Sequence, residues 1–287
     1  MATATATATA TAMPTATATT TPPLTPPPTM PPAAAIEGEL SEPGALTACL
    51  SVVGAPATTL DDQGQLAGYN VSFATEIAER LGLELATREP LFDALIDIVR
   101  EHECDIAVSS QNLTASRLEL VNFTAYTKSS QPVLVAFGNP SNIDTLMELC
   151  GEPVSANEGT THVDLVNGAG DYSGRGLNAA CASAGQPLIN LHTFETESHA
   201  VTALLSGDVI ACLGNSGFAQ EFPGQIEFSD AILPVARQGI TTAHDRPILH
   251  AAVEATLHQM FSDGTYRAIL IQHLPNDESV AIVSILE

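Results

Sequence analysis

Apolar positions along the chain follow two alternating patterns. Helical spacing, in which apolar side chains recur every three to four residues, occurs over 71–81, 95–99 and 249–260. Pro247 is well placed to open the last of these helices, because proline has no N–H to lose at the first helical position. Alternating strands and helices predict an α/β fold. The short apolar runs that predict strands are 46–52, 105–108, 132–137, 209–213 and 233–236.

The polar stretch after the strand predicted at 105–108 carries the most distinctive chemistry of the chain. A turn rich in hydroxyl and amide groups is expected there, followed by a short helix that bears Arg117. A guanidinium is a flat, permanently charged fork that matches both oxygens of a carboxylate. Ligands of open α/β sheets bind beyond the carboxyl ends of strands. A lone arginine after a strand is more often a surface residue, so the residues alone leave both interpretations open. The polar side chains of this stretch include Ser109, Ser110, Asn112 and Thr114.

Composition excludes one class of partner. The chain has 287 residues, enough for one or two domains, and carries 33 acidic against 9 basic residues for a formal net charge of −24. Such a charge would repel a phosphate backbone, so nucleic acid is not an expected partner. The acidic surface is expected to be solvated, and steering of a cationic ligand is the alternative.

The first 35 residues are almost entirely Ala, Thr and Pro. Such a segment cannot bury enough apolar surface to fold, so residues 1–44 are predicted to be a low-complexity disordered stalk. Residues 1 to about 40 are expected to be dispensable for folding. No apolar run approaches the roughly 18 residues of a membrane helix. No Arg or Lys precedes Arg80, so the charged start of an export signal is not visible.

The remaining chemistry-bearing residues suggest no cofactor. Cys49, Cys104 and Cys212 lie on or beside predicted core strands, where small buried thiols are expected. No cysteine or histidine spacing suggests zinc, and neither a metal nor another cofactor is predicted. The glycine-rich segment 167–176 follows no strand, so a flexible insertion is favoured over a phosphate-binding loop.

Several segments resemble, in the same order, the family 3 extracellular solute-binding proteins, which are polar amino-acid receptors of ABC importers. The resemblance spans roughly residues 45–287 and includes Gly159-Thr160-Thr161 and the Asp-Gly-Thr-Tyr at 263–266. Its best-matched piece reads roughly D-x-x-x-S-x-x-x-T-x-x-R-x-x-x-V-x-F. The residues that supply this pattern are Asp105, Ser109, Thr114 (one place later than the pattern has it), Arg117, Val121 and Phe123, and its second half matches without gaps.

The resemblance implies a type II periplasmic-binding-protein fold, an α/β architecture with two lobes and two hinge crossings. Lobe 1 would comprise 45–132 plus 236–287, and lobe 2 would comprise 133–235. It also implies an extracytoplasmic, monomeric receptor that passes a small-molecule ligand to a membrane permease. Cys150 and Cys181 would form the only disulfide.

The resemblance implies a ligand site with residues from both lobes. Arg117 would bind a carboxylate, with Ser109, Ser110 and Asn112 beside it. From lobe 2, Thr160 and Thr161 would hold the other side. Two departures leave an amino-acid ligand less certain than the fold: Asn215 replaces the usual Asp that neutralises an α-ammonium, and 53–58 lacks the usual aromatic. Glu158 could replace the missing charge.

Two alternatives remain at this stage. An enzyme on the same fold, resembling cyclohexadienyl dehydratase, would need a general acid in the cleft, for which Glu158 is the one candidate. A sensor lobe in signalling would have to act in trans, because no signalling module is attached to this chain.

Overall fold

The computed structural model describes residues 28–215, 221–274 and 284–285. Strands and helices alternate along these residues, as predicted. The α-helices are α1 (Ala33–Glu37), α2 (Tyr69–Leu81), α3 (Leu95–Arg100), α4 (Ala115–Leu118), α5 (Thr161–Asn167), α6 (Leu177–Ser183), α7 (Glu197–Ser206), α8 (Pro247–Asp263) and α9 (Thr265–His273). The strands are β1 (Ala45–Cys49), β2 (Thr59–Leu60), β3 (Leu66–Ala67), β4 (Glu84–Arg88), β5 (Ile106–Asn112), β6 (Val121–Ala136), β7 (Pro153–Asn157), β8 (Asn190–Phe194), β9 (Ala211–Leu213) and β10 (Ile226–Ala243). Short 3-10 helices cover Phe92–Ala94, Leu146–Leu149 and Gly170–Tyr172.

Two long antiparallel strands join the halves of the sheet. The described strands form an eight-stranded sheet in the order β4-β1-β5-β10-β6-β9-β7-β8, and β2 pairs with β3 separately. β6 and β10 pair from Val121 opposite Ala243 to Ala136 opposite Ile226, with shifts of register between. The predicted strands 132–137 and 233–236 are therefore parts of much longer strands.

The apolar core is divided along these two strands. One cluster, built on β1, β5, α2 and α8, includes Tyr126 of β6 and Ile240 of β10. The other core consists of two clusters around β7, β9 and α7, one with Val133 and Leu233 and one with Leu134 and Ile226 of the same two strands. The chain thus passes from one core to the other along β6 and returns along β10. The predicted lobe boundaries, after residue 132 and before residue 236, fall between the residues of each strand that belong to different cores. The positions of these boundaries remain predictions.

The polar stretch 109–112 is strand rather than the predicted turn. β5 continues through Asn112 and is buried along its whole length. Asn112 pairs with Gln238 and Gln111 pairs with Gly239 on β10, whereas the register is interrupted at Ser110, whose N–H donates to Tyr126 Oη. The prediction was wrong because hydroxyl and amide side chains are typical of turns. Here they belong to the last residues of the strand.

The stalk prediction is wrong for its C-terminal part; residues 1–27 lie outside the described residues. α1 packs on the first core through Ile36, which is only 3% exposed. The Glu39 carboxylate accepts a hydrogen bond of 2.7 Å from Leu249 N at the start of α8. Ser41 donates its N–H to Asp105 at 2.7 Å. Ile36, Leu40 and the acidic residues between them distinguish this part from the Ala/Thr/Pro run.

A chain that begins at Glu39 is therefore expected to be less stable than one that begins at Pro28. The shorter chain loses α1 and the burial of Ile36, which is worth about 2 kcal/mol. Thermal unfolding of the two chains should show a fall of several degrees, and Ile36→Ala in the longer chain should reproduce part of it. Equal melting temperatures would mean that α1 does not contribute to stability.

The cysteine predictions need one correction. The predicted disulfide between Cys150 and Cys181 is present, with an S–S distance of 2.01 Å, and Cys212 is a buried free thiol as expected. Cys49 and Cys104 are not separate thiols: they form a second disulfide with an S–S distance of 2.10 Å. The prediction failed because it treated each cysteine by its own strand. β1 and β5 are parallel neighbours and Cys104 lies two residues before β5, so the Cα atoms of Cys49 and Cys104 are only 5.9 Å apart.

Candidate ligand-binding site

A small cavity lies where the two cores face each other. Its volume is about 20 Å³, which is close to the room that one water molecule needs. The structure therefore presents the cleft in a closed form. The lining residues are Phe92, Ser110, Asn112, Arg117, Gln131, Thr160, Thr161, His162 and Asn215.

Arg117 reaches the cavity from α4. Thr114 caps this helix by accepting the N–H of Arg117 at 3.2 Å, which fixes the start of the helix beyond β5. The guanidinium donates to Asn112 O at 2.9 Å and to Gly159 O at 2.8 Å. Arg117 is 8% exposed, and within the described ranges no carboxylate forms an ion pair with it. Burial lowers the pKa of Arg117, and the more distant Asp164 and Asp171 oppose that shift.

The two sides of the cleft are in direct contact around Arg117. Asn112 donates its Nδ2 to Thr161 Oγ1 at 2.6 Å, while Arg117 contacts Gly159 on the same loop. Gly159 has a φ of +69° and packs on Asp93, so a Cβ there would lie 2.5 Å from Asp93 Cα. Only glycine permits this approach of the two backbones.

The glycine-rich segment 167–176, expected to be a flexible insertion, contributes to the contact between the two sides. The Asp171 carboxylate accepts the N–H of Ala115 at 2.7 Å and that of Ser116 at 2.8 Å, the first two residues of α4. These bonds and the nearby Arg175 lower the pKa of Asp171, with the Ser116 N–H as the largest cause. The segment thus satisfies orphan N–H groups of the helix that bears Arg117.

Two buried polar atoms of the lining lack hydrogen-bond partners among the described residues. They are Asn112 Oδ1 and His162 Nε2, on residues that are 8% and 4% exposed. Burial, and to a smaller extent the Arg117 charge, lower the pKa of His162 to about 4, so its imidazole is neutral at neutral pH. Buried polar groups are normally paired, and an unpaired one costs about 1–3 kcal/mol. A ligand that pairs with them would recover that cost.

Ser110 takes an unusual backbone conformation at the cavity. Its φ is +52°, in the left-handed region that side chains other than glycine rarely adopt. Two buried side chains stabilise this conformation: Ser110 N donates to Tyr126 Oη at 3.0 Å, and Asn70 Nδ2 donates to Ser110 Oγ at 3.1 Å. Tyr126 Oη also donates to Asn70 Oδ1 at 2.5 Å. This buried network positions the end of β5.

Two residues assigned to the site from sequence lie outside the cavity lining. Ser109 accepts the N–H of Ser51 at 2.8 Å, so its hydroxyl braces the end of β1. Glu158 accepts a hydrogen bond of 3.2 Å from Thr193 Oγ1, so its carboxylate points to β8. Thr160 does line the cavity, but its hydroxyl donates back to Asn157 O at 2.7 Å.

Asn215 lies in the cavity lining, after β9, and has an acidic partner. Glu197, the first residue of α7, is 3% exposed. Its carboxylate accepts hydrogen bonds from both the backbone N and the side-chain Nδ2 of Asn215, the latter at 2.7 Å. Burial raises the pKa of Glu197 to about 7, although the bonds from Asn215 oppose the rise.

Sequence reasoning missed three lining residues, Phe92, Gln131 and His162. Phe92 supplies the aromatic side chain that 53–58 lacks, from a 3-10 helix rather than from the end of β1. His162 directly follows the Gly-Thr-Thr segment and is the second residue of α5. Its proximity to that segment could have placed it in the site. Gln131 lies on β6, between the parts of that strand that enter the two cores.

Comparison with known proteins gives the fold and the family. The model of the bacterial extracellular solute-binding proteins, family 3, matches residues 46–276. The L-cystine-binding protein TcyJ of Escherichia coli K12 is 28% identical over 125 residues, which cover 43% of this chain. That match spans 47% of the length of TcyJ. The probable ABC transporter arginine-binding protein ArtJ of Chlamydia trachomatis is 24% identical over 80% of this chain and 87% of its own length.

Among solved structures, a mutant of ArgBP from T. maritima has a TM-score of 0.72 and 24% identity. It covers 83% of this chain and 98% of its own chain. This likeness confirms the predicted type II periplasmic-binding-protein fold. With the family match over most of the sequence, it follows that the chain belongs to the bacterial extracellular solute-binding proteins, family 3.

Proposed function

We propose that this protein is an extracytoplasmic receptor that captures a small carboxylate-bearing ligand, an amino acid or a derivative, between its two lobes. It delivers the ligand to the permease of an ABC importer and performs no chemistry on it. The names of the relatives support this class, because one is an L-cystine-binding protein and the other a probable ABC transporter arginine-binding protein. The lobes are residues 45–132 plus 236–287 and residues 133–235.

The observation that carries the proposal is the state of Arg117. A guanidinium remains charged under all ordinary conditions, and burying it without an opposite charge is costly. Here its named partners are two neutral carbonyls, Asn112 O and Gly159 O. A ligand carboxylate would supply the missing charge and could accept two parallel N–H bonds. The site is therefore suited to a ligand with a small anionic group such as a carboxylate.

Ligand binding would favour the closed form because the site is shared between the lobes. Ser110, Asn112 and Arg117 come from one side, and Thr160, Thr161, His162 and Asn215 come from the other. A ligand that contacts both groups stabilises the closed form more than the open one. The contact from Asn112 to Thr161 and that from Arg117 to Gly159 must open to admit it.

The lining favours a receptor over a dehydratase-like enzyme. An acid catalyst must reach the substrate. None of the described residues that line the cavity is acidic, and Glu158 lies outside it. The membership of the chain in a solute-binding family supports the same choice.

The family also supports the location. Its members are extracellular solute-binding proteins, and an oxidising compartment permits the two disulfides. In the part of the chain that the structure describes, no helix is both long and apolar enough to span a bilayer.

A thermal-shift screen tests the proposal. The panel contains the twenty L-amino acids, L-cystine, and plain carboxylates such as succinate, followed by calorimetric titration of any compound that raises the melting temperature. A ligand at 100 times its dissociation constant should stabilise the fold by about 2.7 kcal/mol. The proposal predicts saturable binding of at least one amino acid with a stoichiometry of one. Absence of a shift from every member of the panel would contradict it.

A further inference from the structure

Glu197 is a buried carboxylate that lies directly behind the cavity lining. It is the first residue of α7, and Asn215, which follows β9, contacts its carboxylate. Gly214 makes this possible, because a Cβ there would lie 2.5 Å from Glu197 Oε1. The two oxygens accept separate bonds, one from Asn215 N and one from Asn215 Nδ2. The backbone and the side chain of Asn215 are thus both fixed by the same carboxylate.

No cation neutralises this carboxylate in the described part of the chain. Salt bridges join other acidic residues there, but none involves Glu197. The titratable groups that face it are Glu221, whose charge adds to the rise of its pKa, and the Cys212 thiol on β9. Burial raises the pKa of Cys212 to about 12, so that thiol stays neutral. Asn215 is therefore the group through which Glu197 can act on its surroundings.

The carboxylate determines which end of the Asn215 amide faces the ligand. An ionised carboxylate only accepts hydrogen bonds, so the NH₂ end of the amide must point to it. The observed bond from Nδ2 to Glu197 Oε2, at 2.7 Å, has this orientation. Oδ1 then lies at the other end of the amide group, away from Glu197, on a residue that lines the cavity. Asn215 Oδ1 is a hydrogen-bond acceptor, and the negative charge of Glu197 is bonded to the other end of the same amide. This arrangement favours a donor that carries a positive charge.

We propose that Glu197 is the positioning residue that gives the cavity its anionic pole, opposite Arg117, and that the ligand class is a zwitterion. The ligand carboxylate would bind Arg117, and its ammonium would donate to Asn215 Oδ1. This inference rests on the proposed receptor function. It assigns to Glu197 and Asn215 together the counter-charge that Asn215 alone does not carry.

The test compares two probes and two variants. The probes are the tightest-binding L-amino acid of the screen and its α-hydroxy analogue, which lacks the ammonium. In Glu197→Gln, the new amide can donate to Asn215, so the Asn215 amide is free to turn and the charge is lost. The dissociation constant for the amino acid should rise at least tenfold, while that for the hydroxy acid should change less than twofold. Glu221→Gln, which removes a nearby charge that does not contact Asn215, should leave both within twofold.

A purely structural role for Glu197 gives a different pattern. It would weaken the amino acid and the hydroxy acid to the same extent, and that result would overturn the proposal. Unchanged binding of the amino acid by Glu197→Gln would also overturn it. Glu197→Gln combined with Asn215→Asp places the charge directly in the lining, and it should restore tight binding of the amino acid. Failure of this double variant to recover affinity, with a normal melting temperature, would contradict the proposed role.

The pH dependence of the wild-type protein provides a measurement that needs no variant. A bound ammonium stabilises the ionised form of Glu197, so affinity for the amino acid should fall as the pH is lowered through 7, approaching about tenfold per pH unit. His162, with a pKa of about 4, does not titrate in that range. The hydroxy acid should show a flatter profile. A flat profile for the amino acid would overturn the proposal, whereas absence of amino-acid binding at any pH would instead refute the receptor function.

Discussion

Replacing Arg117 with alanine is expected to abolish the thermal shift that a carboxylate ligand produces. Removal of one partner of a buried, hydrogen-bonded charge pair costs about 2–5 kcal/mol, much of it because the other charge is left unpaired. A loss of this size corresponds to a rise in the dissociation constant of roughly 30-fold to several thousandfold. Calorimetric titration of the variant would measure it. The free protein should remain folded, because the hydrogen-bond partners of the guanidinium among the described residues are neutral carbonyls.

Two further variants separate the charge from the geometry. Arg117→Lys keeps a positive charge but loses the planar fork, so its affinity should lie between those of the wild type and Arg117→Ala. Arg100→Ala removes an exposed arginine that pairs with Asp97 and does not line the cavity, and it should leave affinity unchanged. An unchanged ligand response in Arg117→Ala would remove Arg117 from the site and with it the main support for a carboxylate ligand.

The parts of the fold that sequence predicted are those governed by local periodicity and by the order of segments. α2, α3 and α8 follow their apolar spacing, and Pro247 is the first residue of α8. The family resemblance added the two-lobed arrangement, which short periodicities could not supply. β6 and β10 are the example, because each of these long strands contributes residues to both cores. Those cores form only when segments that are distant in sequence pair with each other.

The parts that sequence missed depend on contacts between distant segments. The disulfide between Cys49 and Cys104 requires knowledge that β1 and β5 are neighbours. Glu197 precedes Asn215 by a whole helix and a strand, so no spacing rule links the two. Ser109 and Ser110 are adjacent in sequence yet face opposite ways, since one braces β1 and the other lines the cavity. A strand alternates its side chains, and that alternation was obscured by reading 109–112 as a turn.

A second buried charge concerns stability rather than ligand binding. Asp105, immediately before β5, is fully buried and accepts N–H groups from Ser41 and Thr47. Arg246, which precedes α8, donates to Asp105 Oδ1 at 2.5 Å. Asp105 and the cavity-lining residues Ser110 and Asn112 lie at opposite ends of β5. Stability and affinity should therefore respond to different substitutions.

Arg246→Met is expected to destabilise the fold by about 3 kcal/mol, because it leaves the Asp105 carboxylate buried without its cation. For a protein of this size, that corresponds to a fall in melting temperature of roughly 6–12 °C. Arg100→Met, which breaks an exposed pair, should cost less than about 1 kcal/mol. Adding Asp105→Asn to Arg246→Met removes the orphaned charge, so the double variant should be less destabilised than the sum of the two single changes. Strict additivity in this cycle, measured by denaturant unfolding, would show that the two side chains do not interact.

Ligand affinity of these variants, measured well below each melting temperature, should stay within about twofold of the wild-type value, since a larger loss would couple this end of β5 to the cavity.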